Sequence, residues 1–99
     1  MLIWATDNCF LRIFNCKDKT LNVEYKINPC AMIKIYNCSD ASEINYDSSK
    51  NVVEHSELKK LNFVVPNNDC LVQFTVSERY DAPNDNRILG ICFFSIQVQ

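Results

Sequence analysis

Residues 20–27, TLNVEYKI, put Leu21, Val23, Tyr25 and Ile27 on one side of an extended chain and Asn22, Glu24 and Lys26 on the other. Alternation of this kind marks a strand with one face buried. Runs dense in β-branched and aromatic residues at 2–6, 9–14, 31–36, 61–65, 70–76 and 88–98 read as further strands. The segments between them are turn-like: Asp7-Asn8, Asn15 to Lys19, Asn28-Pro29, Pro66 to Asp69, and Asp81 to Asn86. Asn and Asp take the place of Gly there, because they tolerate left-handed backbone and bond to it through their side chains. Roughly seven short strands without a helical period predict an all-β fold, an antiparallel two-sheet β-sandwich with little helix, in one domain over residues 1–99. The expected core is Leu21, Val23, Tyr25, Ile27, Ile33, Ile35, Phe63, Val65, Leu71, Phe74, Val76, Leu89 and Ile96, with most of the phenylalanines, Phe10 and Phe14 included, also inside. The polar stretch 39–60 reads as a crossover excursion, or as a loop with a short helical turn at 53–60.

Composition narrows the partners. Of 99 residues 47% are hydrophobic and 22% charged, enough to bury one core, and the net charge is −2. That balance lacks the basic surface which nucleic acid or an anionic membrane selects, and no apolar run is long enough to span a bilayer, so neither nucleic acid nor membrane insertion is expected. A single glycine, Gly90, excludes a glycine-rich phosphate loop, and a single histidine, His55, excludes any site built on two histidines. The six cysteines, at 9, 16, 30, 38, 70 and 92, lie largely within apolar runs and form no C-x-x-C pair. They read as reduced, mostly buried thiols, with disulfides and a metal as the lesser readings. The opening MLIWATDNCF has no basic segment and no long apolar segment, which predicts no secretory leader and a cytoplasmic location.

No catalytic constellation is legible. His55 lies between Glu54 and Ser56 in the most polar part of the chain, where a solvated side chain is expected, and the acids fall mainly on loops and polar strand faces. The expectation is a protein that is not an enzyme and carries no cofactor or metal. The informative segment is 61–99: two strands, the loop opened by Tyr80, then Asp85-x-Arg87-x-Leu89-Gly90 and a last strand apolar on both faces. Asp85 and Arg87 share a side of an extended chain and read first as a clamp closing the loop, or else as part of a ligand site with Tyr80 and Glu78 on the same rim. Gly90 stands where the last strand begins, a place for a β-bulge or a close backbone approach.

A strand, a loop containing Pro83, D-x-R-x-L-G and a terminal strand resemble the closing motif of small jelly-roll modules attached to bacterial glycosyltransferases and other surface-polysaccharide biosynthesis proteins. The likeness covers 61–99, and Asp85, Arg87, Leu89 and Gly90 match position by position. It implies a jelly-roll accessory module with a carbohydrate-related role, and as partners a saccharide and a partner enzyme. The chain departs from the pattern in being nearly free of glycine and in having no attached catalytic domain, so a stand-alone homologue and a piece of a larger enzyme both stay open. Two other readings compete. One is a protein-protein interaction or inhibitory β-sandwich without a small-molecule site, pairing through an exposed sheet edge. The other is a calcium-dependent lipid-binding sandwich using Asp81 and Asp85, which lacks a second aspartate-rich loop. Separately, the two apolar faces of the last strand are expected either of a central strand covered on both sides or of one joining a homodimer.

Overall fold

The computed structural model describes residues 3–50, 58–79 and 89–99. Their strands are β1 (Ile3–Ala5), β2 (Asn8–Phe14), β3 (Thr20–Lys26), β4 (Ile33–Asn37), β5 (Ser42–Glu43), β6 (Asp47–Lys50), β7 (Lys59–Val64), β8 (Asp69–Val76) and β9 (Ile91–Val98). No helix occurs among the described residues.

The antiparallel pairs nest. β1 pairs with β9, β2 with β8, β3 with β7 and β4 with β5. The chain is therefore one long hairpin with its tip at 38–41, rolled so that successive rungs fall alternately in two sheets. The rolled hairpin closes through β3 on β9 and β4 on β8, giving sheets ordered β1-β9-β3-β7-β6 and β2-β8-β4-β5. This is jelly-roll topology, with β6 added outside β7. The expected two-sheet antiparallel sandwich is thus the observed fold.

The core lies between the sheets. Strand β3 buries Leu21, Val23 and Tyr25 in alternation, and β8 buries Cys70, Val72, Phe74 and Val76. Phe74 spans the gap, its ring 6.5 Å from that of Phe63 and 5.5 Å, edge-on, from that of Phe93 in the opposite sheet. Eleven of the thirteen expected core residues are buried; Leu71 and Ile96 are not, at 39% and 38% exposure. Leu71 lies on the outer face of β8, between the buried Cys70 and Val72. Ile96 does point inward by register, opposite Val23, but it stands near the end of β9, beyond the residues that β1 pairs with. Phe10 and Phe14 are also corrected: both face outward on β2, at 58% and 59% exposure. Of the six cysteines, all unpaired, only Cys70 and Cys92 are buried and Cys30 is exposed, fewer buried thiols than expected.

Two turn expectations are met by particular residues. Asn15 and Asp18 take positive φ, 55° and 67°, in the turn between β2 and β3. Gly90 is a close approach and not a bulge: a Cβ there would overlap the Asp7 and Thr6 backbone, and its N–H donates to Ala5 C=O at 2.8 Å. The bulge lies further on. Glu24 faces Ser95 while Tyr25 faces Phe93, so Phe94 is the extra residue, and the inward set of β9 changes from Ile91 and Phe93 to Ile96 and Val98. The polar stretch 39–60 contributes β5, β6 and the first residues of β7. Of the helical turn considered at 53–60, residues 51–57 lie outside the described residues and 59–60 are strand.

Candidate functional site

Among the four residues singled out from the sequence, Tyr80, Asp85 and Arg87 lie outside the described residues. Glu78 is exposed in the turn after β8. That turn is held against the β3–β4 loop: Ser77 N–H donates to Met32 C=O, Met32 N–H donates to the Ser77 hydroxyl, and the Asn28 side-chain amide donates to Arg79 C=O. An ion pair of Arg79 with Asp7, 3.3 Å, fastens the turn to the start of β2. Glu78 therefore stands beside the β3–β4 loop.

That loop forms one wall of a cleft of about 370 Å³ at the open end of the sandwich. Tyr25, Ile27, Ala31, Met32, Ile33, Tyr46, Ser48, Lys59 and Lys60 line it. The floor is apolar because Tyr25 and Ile33, the last core position of β3 and the first of β4, are buried together with Ile27 and Ala31 of the loop between them. An Asx turn sets the wall: Asn28 Oδ1 accepts from Cys30 N–H at 2.9 Å while Asn28 C=O accepts from Ala31 N–H. Opposite it, register places Ser48 across from Leu61 and Lys59 across from Tyr25, both on the inward side of the five-stranded sheet. Lys60 alternates outward and meets Glu24 at 3.5 Å. Lys59 has no ion pair among the described residues.

The polar groups of the cleft have defined chemistry. The Tyr46 hydroxyl donates to Ile33 C=O at 2.7 Å, so its oxygen keeps lone pairs that can accept. Burial, then the neighbouring Tyr46, pushes the Tyr25 phenol up to about 12, so at neutral pH it stays protonated. Burial also raises Tyr46, followed by the charge of Glu43. The cleft thus offers aromatic and aliphatic walls, two phenols, the Ser48 hydroxyl and the partly buried Lys59 side chain.

The outer sheet faces differ from the cleft and from each other. On the five-stranded sheet the row Asn62, Asn22 and Gln97 is polar, and Asn22 Nδ2 is buried without a hydrogen-bond partner among the described residues. On the four-stranded sheet Phe10, Arg12 and Phe14 line β2; Arg12 donates twice to Asp69, at 3.0 and 2.9 Å, and lies 5.1 Å from the centre of the Phe14 ring. Those bonds raise Arg12 and hold the Asp69 carboxyl below the usual carboxylate range. Burial pushes the Cys9 thiol up to about 11 and raises Cys70 and Cys92, which keeps these three as thiols and not as thiolate nucleophiles. Among the described residues no group of three or more His, Cys, Asp or Glu is placed to hold a metal ion, and no helix is long and apolar enough to cross a membrane.

Sequence reasoning missed Ser48 and Lys59, because both sit in the stretch read as a connection. Tyr46 lies in the same stretch and was missed with them. Comparison with models of known families, with curated proteins and with solved structures gives no match for this chain.

Proposed function

We propose that this chain is a non-catalytic binding module of surface-glycan assembly that takes an acidic saccharide in the cleft. One observation carries the reading: the cleft joins an apolar, tyrosine-bearing floor to hydroxyls and an inward-facing ammonium, Lys59. A pyranose ring has apolar faces and a polar rim, and an acidic sugar adds a carboxylate for which a lysine ammonium lining the cleft is a fitting donor. The jelly-roll topology is compatible with this reading as fold-level analogy only, since lectin domains share it with proteins of other kinds. Glu78, beside the loop that walls the cleft, belongs to the same proposal, and Tyr80, Asp85 and Arg87 enter it as ligand candidates from the sequence alone.

The test is a titration of ¹⁵N-labelled protein with neutral and uronic-acid oligosaccharides. Acidic sugars are expected to shift the amide signals of Tyr46, Ser48 and Lys59. Replacing Lys59 by Gln removes a charge-assisted hydrogen bond of about 1.5–3 kcal/mol, so it should weaken binding about 10–100-fold and leave the melting temperature unchanged. Shifts absent with every sugar, or an affinity unchanged in Lys59→Gln, would refute the proposal.

A further inference from the structure

The four outermost strands of the two sheets are not alike. β1 has three residues, β5 two and β6 four, whereas β2 has seven, NCFLRIF, paired with β8 in regular register throughout. Edges are ordinarily blunted by shortness, Lys, Pro or a bulge. β2 has none of these. Its one charge, Arg12, is neutralised by Asp69, and Phe10 and Phe14 are more than half exposed beside it.

The hydrogen bonds show which groups the edge presents. Val76 N–H donates to Asp7 C=O and Asn15 N–H to Asn68 C=O, so in this register Cys9, Leu11 and Ile13 turn their backbone groups to β8. Asn8, Phe10, Arg12 and Phe14 turn theirs outward. Both ends of the outward row are engaged: the Thr6 hydroxyl donates to Asn8 C=O at 2.6 Å, and the Cys16 thiol donates to Phe14 C=O at 3.0 Å. Between them, Phe10 and Arg12 present N–H and C=O groups without a partner among the described residues. This open window is symmetric about Leu11.

We propose that a second copy of this chain pairs with the window, antiparallel, across a two-fold axis at Leu11. Phe10 then lies opposite the partner's Arg12 and Arg12 opposite the partner's Phe10, two hydrogen-bonded pairs that satisfy every open group of the window and join the two four-stranded sheets into one. Each guanidinium meets a Phe10 ring across the seam, a contact of the kind Arg12 already makes with Phe14. Other registers fit less well. An axis at Phe10 needs the Asn8 groups that Thr6 holds, and an axis at Arg12 sets two guanidiniums against each other.

The experiment measures mass by sedimentation velocity over a range of concentrations, together with amide hydrogen exchange. The wild-type protein is expected to dimerise as concentration rises, with the Phe10 and Arg12 amides becoming protected in step. A monomer at all concentrations, or unprotected Phe10 and Arg12 amides in a dimer, overturns the proposal. Phe10 is 58% exposed, so charges placed there leave the core intact. Phe10→Glu faces the partner's Arg12 and should dimerise about tenfold or more tightly than Phe10→Lys, the pair occurring twice across the axis. Equal weakening by the two charges would mean a nonspecific apolar contact and would also overturn it.

Discussion

Gly90→Ala tests how the last strand is seated. An added Cβ would overlap Asp7 Cα, Asp7 N and Thr6 C, all backbone atoms in the corner between β1 and β2. A crowded side chain can change rotamer; a crowded backbone must move as a unit. Overpacking of this kind costs about 1–3 kcal/mol. The shift also strains the bond from Gly90 N–H to Ala5 C=O, 2.8 Å, whose loss costs about 0.5–1.5 kcal/mol. Alanine stiffens the unfolded chain and returns about 0.4–1 kcal/mol. The net expectation is a destabilisation of about 0.5–4 kcal/mol, and at about 4–8 °C per kcal/mol for a domain of this size the melting temperature should fall by about 2 °C or more. Thermal unfolding followed by far-ultraviolet circular dichroism, with urea unfolding as an independent measure, reads the change. If Gly90→Ala melts within about 2 °C of the wild type, a span smaller than any cost above, the close approach does not constrain this corner.

Two further outcomes follow from single backbone or side-chain features. Ala41 holds φ at 59° in the turn before β5, a conformation costing an L-residue about 1–2 kcal/mol, so Ala41→Gly should raise the urea midpoint despite the extra entropy of unfolded glycine; a lower midpoint would show that the turn is not strained. The Tyr25 phenol ionises near 10.0 when unfolded and at about 12 when folded, so between these values the unfolded chain has lost a proton that the folded one keeps, and stability should fall with rising pH across that window. Unfolding measured over that range in Tyr25→Phe should show a flatter profile, and an equally steep one would assign the loss to other groups.

The parts of the fold legible in the sequence are those where burial imposes a period. TLNVEYKI is such a case: every second side chain meets the opposite sheet, so the pattern is written into the residues. Asn15 and Asp18 were legible for a different reason, the tolerance of their side chains for left-handed backbone. β5 and β6, SE and DSSK, escaped notice because short outer strands with polar residues bury little and so leave no apolar alternation to read. The bulge at Phe94 was equally invisible, since β9 has large apolar residues in both phases and either face could have been the inner one. Leu71 illustrates the opposite failure. It lies three positions from Phe74, and residues an odd number apart cannot share a face of a regular strand, so placing both in the core conflicted with the period itself. Cys70 and Val72 fill the phase that Phe74 dictates. The candidate site was the least legible part, because Tyr46, Ser48 and Lys59 come from different strands and loops and only the pairing of β6 and β3 with β7 brings them to one cleft.

The rolled hairpin accounts for both the cleft and the open edge. Its tip rung is short: β4 has five residues and β5 only two, so the four-stranded sheet ends early on that side. The five-stranded sheet gains β6 there, and inward-facing positions on β6 and β7 find no full strand opposite them; Ser48 and Lys59 occupy such positions. At the other side of the four-stranded sheet the outermost strand is β2, seven residues long and supported only by β8. Two strands, β8 and β4, stand between β2 and β5. A second copy added along β2 therefore extends the sheet away from β4, leaving the lining residues Met32, Ile33 and Tyr46 in place, so paired molecules would each present their own cleft.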